Sequence, residues 1–394
     1  MPPTFVENTV ERVASAIGPT DDFVLLHQPF LPPKAWEYVK DCLDTGWVSS
    51  AGAYVTKFEE HLAEYSGTNR AVAVVNGTAA LQIALHLAGV QSDDEVIMPS
   101  LTFVATANAV RHLNAAPHFV DVCPARLGMS PEALRERLEA VAVRRNGSWF
   151  NKDSGARIAA ICVMHCFGIP CDMKPLTAIA DEYEIPLVED AAESLGSTYQ
   201  GVHMGQFGQL SAVSFNGNKI ITSGGGGAIL TNDERVADVA KHLTTTAKVA
   251  HPWEFHHDET GWNYRLPNLN AALGLSQLEI MPELIAAKRE LTSQYEAAFS
   301  TADEFSLLQC PADSEWNHWL NALILSETMG IEERDLLLAG LNEAKLQSRP
   351  LWKPMHLLPM YAKQPRGPLA ITESLYARII NIPSSACLAK SWDQ

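Results

Sequence analysis

The sequence predicts an α/β protein with a mostly parallel, doubly wound sheet of seven strands, followed by a smaller α+β unit. Three observations carry this. From Arg70 to about residue 250, short apolar runs alternate with stretches of helical periodicity. Several of these runs are apolar at every position, as strands covered on both faces must be. Beyond that point the alternation stops and aromatic, polar and long helical segments follow. A chain of 394 residues also exceeds one simple core. The expected boundaries are 1–35 for an N-terminal helix and arm, 36–255 for the large domain and 256–394 for the small one.

Taken in order, Val10–Ile17 reads as a helix and HQPFLPP, 27–33, as an extended Pro-rich arm. Helices are expected at Trp36–Leu43 and Val55–Tyr65, with a small-residue loop at Thr45–Ala53 between them. Strands are expected at 71–75, 95–99, 118–122, 156–165, 185–190, 211–215 and 228–231. Helices fall between most of them, at Gly77–Ala88, Phe103–His112, Pro131–Arg144 and Leu176–Tyr183, with Val236–Thr245 after the last. Asn146–Gly155 reads as a surface insertion. A long helical pattern runs from Leu269 to about Phe299, interrupted at Pro282. A strand at Trp319–Ser326 and helices at Ile331–Glu343 and Ser374–Ile379 complete the small unit.

Composition narrows the function. The formal net charge of −17 disfavours nucleic acid or an anionic membrane as partner, so any anionic ligand needs local donors. The first eighteen residues have neither a basic start nor an apolar stretch of signal-peptide type. No apolar run reaches the roughly 18 residues of a bilayer span. Seven scattered cysteines fit a reducing cytoplasm better than a disulfide framework. Cys162, His165, Cys166 and Cys171 lack paired metal-ligand spacing and read as buried structural residues, so no metal is expected.

Chemistry gathers where the strands end. In doubly wound sheets ligands bind at the carboxyl ends of the strands. Lys219 lies in a turn just past the strand Ser211–Phe215, with Gly224–Gly227 after it. Such a lysine is either a surface residue beside a flexible loop or the nucleophile that joins a carbonyl, pyridoxal phosphate being the commonest. Gly77, Thr78 and Ala79 open a helix after the first strand: a phosphate site, a capped turn, or both. Phe103 is either a ring platform or a core aromatic. Asp190 ends the fifth strand, as a partner for a pyridine nitrogen or as a helix cap, and Glu193 lies three residues on. Ser214 is a second phosphate donor. Together these parts make one pyridoxal phosphate site.

The motifs NGTAALQIAL (76–85), PSLTFVATANAV (99–110), VEDAAESLGS (188–197), SFNGNKIITSGGGGAI (214–229) and GWNYRLPNLNAALGLSQL (261–278) carry a resemblance. The chain resembles the DegT/DnrJ/StrS family of pyridoxal-phosphate-dependent nucleotide-sugar aminotransferases, of fold type I, the aspartate aminotransferase-like class. GWVSSAGAYVTKFEE, WEFHHDETGWNYR and RPLWKPMH resemble a LegC-like subgroup acting on UDP-linked 4-keto-6-deoxy amino sugars for bacterial surface polysaccharides. The resemblance implies that Lys219 carries the cofactor and shuttles protons. Asp190 would hold the pyridine nitrogen, Thr78, Ala79 and Ser214 the phosphate, and Phe103 would cover the ring. Asn263 would reach the cofactor of a neighbouring subunit, implying a homodimer with shared sites. Glu193 departs from the Gln or His common at its position. The amino donor would be L-glutamate.

For the substrate, Arg265, Arg349, Lys353 and His356 are candidate anion donors, or ordinary surface groups, and Trp47, Ser49 and Ser50 are candidate sugar contacts or plain connector. Two other readings use the same scaffold: a sugar dehydratase, and a non-catalytic cofactor-binding protein. The first is disfavoured because the resemblance gives dehydratases His where this chain has Lys219.

Overall fold

The structure, a computed structural model, describes residues 4–18, 22–302 and 304–392. Residues 1–3 of the N-terminal stretch, 19–21 leading to the arm, and 393–394 lie outside the described residues. The central sheet has seven strands: β1 (Arg70–Val74), β2 (Glu95–Pro99), β3 (Ala116–Val120), β4 (Ile158–Met164), β5 (Leu187–Asp190), β6 (Leu210–Ser214) and β7 (Gly227–Thr231). Their spatial order is β1-β7-β6-β5-β4-β2-β3. Neighbours from β6 across to β3 are parallel. Only β7 is reversed, antiparallel to both β1 and β6. Every residue of β2, β4, β5 and β7 is buried; in β4 this gives a continuous apolar run, whereas β5 ends in two buried acids. This is the architecture of the fold-type-I class.

Reversal of β7 sets the site. It brings Gly227 to the same edge as the carboxyl ends of β1 and β6, opposite Val74 on one side and Ser214 on the other. A Cβ on Gly227 would lie 2.5 Å from the Asn76 carbonyl carbon and 2.6 Å from the Gly77 nitrogen. A Cβ on Gly77 would lie 2.8 Å from Ser214 Cβ. These two glycines let three backbone segments meet where any side chain would collide. At Gly227 the close approach is therefore between backbones of the protein.

Twelve α-helices of the described residues surround the sheets. The first, Phe5–Ile17, begins earlier than its apolar pattern suggests. Thr4 and Glu7 form a reciprocal capping box, with Glu7 N donating to Thr4 Oγ1 at 3.3 Å and Thr4 N to Glu7 Oε2 at 2.6 Å. Pro131–Val141 ends sooner than expected, because Ala142–Arg145 pairs with Ser148–Asn151 as a hairpin across Asn146 and Gly147. The insertion is thus partly strand. In the long helical pattern the break falls at Glu279–Ile280, between Asn268–Leu278 and Met281–Phe299. Pro282 sits in the first turn of the second helix, where its missing N–H costs nothing.

A second sheet of four antiparallel strands follows: β8 (Phe305–Leu307), β9 (Ala322–Leu325), β10 (Arg349–Pro350) and β11 (Ile379–Asn381), in the order β8-β9-β11-β10. Its core runs into the one beneath the large sheet through Trp316, Trp319 and Leu351. No helix among the described residues is long and apolar enough to cross a membrane. All seven cysteines are unpaired.

The loop that holds Trp47, Ser49 and Ser50 is fixed by one buried residue. Asn268 Nδ2 donates to Trp47 O at 2.7 Å, Asn268 N to Ser49 O at 2.7 Å, and Asn268 Oδ1 accepts from Tyr54 N at 3.0 Å. Gly52 is bare because its Cβ would lie 2.3 Å from Asn268 Cγ. Asn268→Ala removes two part-buried hydrogen bonds to the loop, so a loss of about 1–3 kcal/mol is expected. Urea denaturation measures it; an unchanged midpoint would show that the staple is idle.

Candidate active site

A cavity of about 300 Å³ opens at the carboxyl ends of the large sheet. The structure brings together there Gly77, Thr78, Phe103, Asp190, Glu193, Ser214 and Lys219, chosen from four separate stretches of sequence. Each arrives through its strand. β1 delivers the start of the helix Gly77–Leu87, β5 delivers Asp190, and β6 delivers Ser214 and then the turn containing Lys219, whose N donates to Asn216 O at 3.0 Å.

Period-two alternation separates the two acids at the end of β5. Glu189 points away and accepts from the amides of Gly205, Phe207 and Gly208, at 2.9, 2.8 and 2.6 Å. Asp190 faces the cavity. Its Oδ2 accepts from Thr106 Oγ1 at 2.7 Å and its Oδ1 from Ala192 N at 3.2 Å. Burial pushes the Asp190 carboxyl up, against the Thr106 hydroxyl, the Ala192 amide and the Lys219 charge. A cation brought to this wall would relieve that penalty.

Lys219 Nζ donates to Glu193 Oε1 at 2.9 Å and lies 4.2 Å from the centroid of the Trp319 ring. Glu193 is buried, and its Oε2 accepts from Phe167 N at 2.9 Å. Phe167 adopts φ 55°, a left-handed conformation uncommon outside glycine. That backbone turn aims its N–H at the carboxylate, a local cost at a functional site. Burial pushes Glu193 up to about 7, with Lys219 holding it down.

Opposite these groups lies an anion cradle. Asn76 Oδ1 accepts from Ala79 N at 2.8 Å, so the Ala79 amide is spent on the cap. Gly77 and Thr78, ahead of the first intrahelical bond, face the cavity with Ser214 beside them. Phe103 is the half-exposed N-cap of the next helix and meets Trp352 edge-on at 6.0 Å. An amide cradle, an aromatic wall, a buried acid and a lysine suit one flat heterocycle bearing a phosphate and an aldehyde. The residues fit pyridoxal phosphate.

Sequence reading missed Thr106, Phe167, Trp319 and Trp352. Thr106 had a signal, lying one helical turn after Phe103. Phe167 and Trp319 come from distant stretches with no local mark, and Trp352 stands inside RPLWKPMH, where its charged neighbours drew the assignment instead. Conversely, several expected residues lie elsewhere within this chain. Trp47, Ser49 and Ser50 sit on the Asn268 loop, outside this cavity. Asn263 and Arg265 are exposed and bonded to each other, Arg265 Nε donating to Asn263 Oδ1 at 3.1 Å. His356 is buried, with Nδ1 2.7 Å from Ser100 Oγ and Nε2 3.0 Å from Glu373 Oε1, so its ring is engaged in tying structure together. Arg349 and Lys353 line a second cavity. Of the cysteine cluster, Cys171 N donates to His165 Nδ1 at 3.1 Å and Glu189 meets His165 Nε2 at 3.1 Å.

Glu193 gives a pH signature to the cofactor-free protein. Its folded pKa is raised, so its contribution to stability is complete below the ordinary carboxylate range, near 4.5, and is lost as pH rises through about 7. Denaturation midpoints of wild type and Glu193→Gln should therefore diverge across that window, with wild type losing ground as pH rises. A constant difference would show that Glu193 is not held up by burial.

Comparison with known proteins places these features. The model of the DegT/DnrJ/EryC1/StrS aminotransferase family matches residues 32–391. The chain is 36% identical over 371 residues to a GDP-perosamine synthase of Escherichia coli O157:H7, covering 93% of this chain and 94% of that one. It is 35% identical over 369 residues to the putative pyridoxal phosphate-dependent aminotransferase EpsN of Bacillus subtilis (strain 168), covering 92% and 91%. The crystal structure of DesI in the presence of its TDP-sugar product superimposes with a TM-score of 0.81 at 29% identity, covering 95% and 91%. This chain belongs to the DegT/DnrJ/EryC1/StrS aminotransferase family and is a pyridoxal-phosphate-dependent aminotransferase.

Proposed function

We propose that the enzyme moves the amino group of L-glutamate to the 4-keto carbon of a nucleotide-linked 6-deoxyhexose, for surface amino-sugar biosynthesis. The observation that supports this most directly is the cavity itself, where Lys219 Nζ, a buried acid and an amide cradle converge. The LegC-like wording of 46–60, 253–265 and 349–356 favours a UDP-linked 2-acetamido sugar. A second reading has its own support: relatives about a third identical are named GDP-perosamine synthases, which favours a GDP-linked sugar. The free thiols fit a reducing compartment, the cytoplasm.

Pyridoxal phosphate supplies an aldehyde that condenses with amines and a ring that takes up electrons. Gly77, Thr78 and Ser214 bind its phosphate and fix its register. Asp190, held by Thr106 and Ala192, keeps a proton on the ring nitrogen. Phe103 and Trp352 wall the ring from solvent. Lys219 Nζ would be the acid–base group at the reacting carbon, taking the proton from the α-carbon of glutamate and supplying one to the sugar carbon that receives the amine. Glu193 Oε1, 2.9 Å away, holds the lysine proton between these steps. Asn263, exposed and outside its own cavity, is assigned to the cofactor phosphate of a neighbouring copy in a homodimer.

Lys219→Ala should lose the visible band of lysine-linked cofactor and at least about 100-fold in turnover. Retained turnover means the nucleophile lies elsewhere. Glutamate should bleach the wild-type band, and UDP- and GDP-linked 4-keto sugars, tried side by side with product NMR, identify the acceptor. A band indifferent to every amino donor sinks the aminotransferase reading of this chain's chemistry. Mixing inactive Lys219→Ala with inactive Asn263→Ala chains should restore activity in hybrid dimers, since one of the two shared sites is then intact. No recovery on mixing overturns the shared site.

A further inference from the structure

Behind the wall that Asp190 presents to the cavity stand two threonines. Thr102 lies just ahead of the helix Val104–His112 and Thr106 in its first turn, and both are fully buried. Their hydroxyl oxygens are 2.6 Å apart, and either can donate to the other. Thr106 Oγ1 is also 2.7 Å from Asp190 Oδ2. Both hydroxyls reach the Phe103 carbonyl, Thr102 at 3.3 Å and Thr106 at 3.2 Å. A continuous line of hydroxyls therefore joins the carboxyl of Asp190 to a backbone oxygen.

Two hydroxyls carry two protons, so the line has few ways to be filled. With Asp190 ionised, Thr106 donates to Oδ2 and Thr102 donates to Thr106. With a proton on Oδ2 every bond turns round: the carboxyl donates to Thr106, Thr106 to Thr102, and Thr102 to Phe103 O. Each buried proton has an acceptor in both arrangements, and in a dry site each bond in such a line strengthens the next. The other donor to this carboxyl, Ala192 N at 3.2 Å from Oδ1, has no such freedom. An amide N–H only donates, whereas a hydroxyl donates and accepts with the same atom.

We propose that Thr102 and Thr106 are positioning residues, a reversible hydroxyl relay that lets Asp190 keep a proton while no cofactor is bound and carry its charge once a protonated ring nitrogen stands against it. The assignment rests on the reading of Asp190 as the partner of that nitrogen. It adds how one buried acid serves two charge states without repacking its surroundings. The titratable groups that face Asp190 are Lys219 from the turn beyond β6, Glu193 from the stretch beyond β5, Cys162 within β4 and His165 just past its end. Variants of the two threonines leave all four in place. Burial pushes the Asp190 carboxyl up, so it holds its proton through the ordinary carboxylate range and gives it up as pH rises further. Donation by Thr106 to a charged oxygen therefore counts for more at higher pH.

Thr106→Val keeps the shape of the side chain and removes the relay, Thr106→Ser keeps the hydroxyl, and Thr102→Val removes only the far donor. Reconstitution of the full chain with pyridoxal phosphate at mildly alkaline pH should show binding about tenfold weaker or worse for Thr106→Val, about threefold weaker for Thr102→Val, and within about twofold of wild type for Thr106→Ser. An analogue with carbon in place of the ring nitrogen should bind wild type and all three variants alike. In urea denaturation without cofactor, the gap between wild type and Thr106→Val should widen as pH rises above the ordinary carboxylate range. Equal losses against both compounds, a gap constant with pH, or Thr106→Ser as weak as Thr106→Val would show a packing role and overturn the relay. Asp190→Asn separates this inference from the one beneath it. If Asp190→Asn binds pyridoxal phosphate weakly while the threonine variants bind like wild type, the relay alone falls. If Asp190→Asn itself binds like wild type, the reading of Asp190 falls and takes the relay with it.

Discussion

The constraint on which the rest depends is the contact of three backbones at the sheet edge: Gly77 at the head of its helix, Ser214 at the end of β6, and Gly227 at the start of β7. Without side chains on the two glycines, the helix start drops against the strand ends. That places free amides and a hydroxyl on one wall of a cavity. The lysine turn is the connection from β6 into β7, so the same packing that builds the proposed phosphate cradle also positions Lys219. Cofactor geometry is therefore a product of sheet topology more than of any single contact.

Around that frame the charges are arranged to be unsatisfied in useful ways. Asp190 is buried with neutral donors only, and its charged form becomes comfortable when a cation arrives. Glu193 is buried with a single cation, Lys219, so the two share one proton economy. Phe167 spends backbone strain to give Glu193 a second bond. Each device trades stability for reactivity at a known atom, which is how active sites depart from well-packed cores.

What the sequence made legible follows the range of the interactions. The seven strands showed because burial on both faces leaves an unmistakable apolar run. Lys219, Asp190, Ser214 and the Gly77 turn showed because each is tied to a strand end, a local event. Trp319 and Trp352 did not, because their role depends on where a second sheet docks, and nothing near them in sequence says so. His356 misled for the same reason in reverse. A histidine beside Lys353 and Arg349 looks like one of a cationic set, until distant Ser100 and Glu373 claim its ring. The helix start at Phe5 was written in Thr4 and Glu7 all along, in capping residues rather than apolar spacing. The Ala142–Asn151 hairpin was hidden because its strands are short and largely unburied.

The reversed strand also dictates an order of assembly. β1 is the first strand to leave the ribosome, yet among the sheet strands its neighbour is β7, the last. Until Thr231 has been made, β1 cannot dock, and the five strands from β6 to β3 can pair only among themselves. Closing the sheet is thus a late event with a long loop to close. The phosphate cradle comes into being at that same step, because it lies where β1, β6 and β7 meet. A cofactor held by the proposed cradle would by mass action favour chains that have completed their topology over earlier forms. Loading with cofactor and finishing the fold become one checkpoint in the life of a newly made chain.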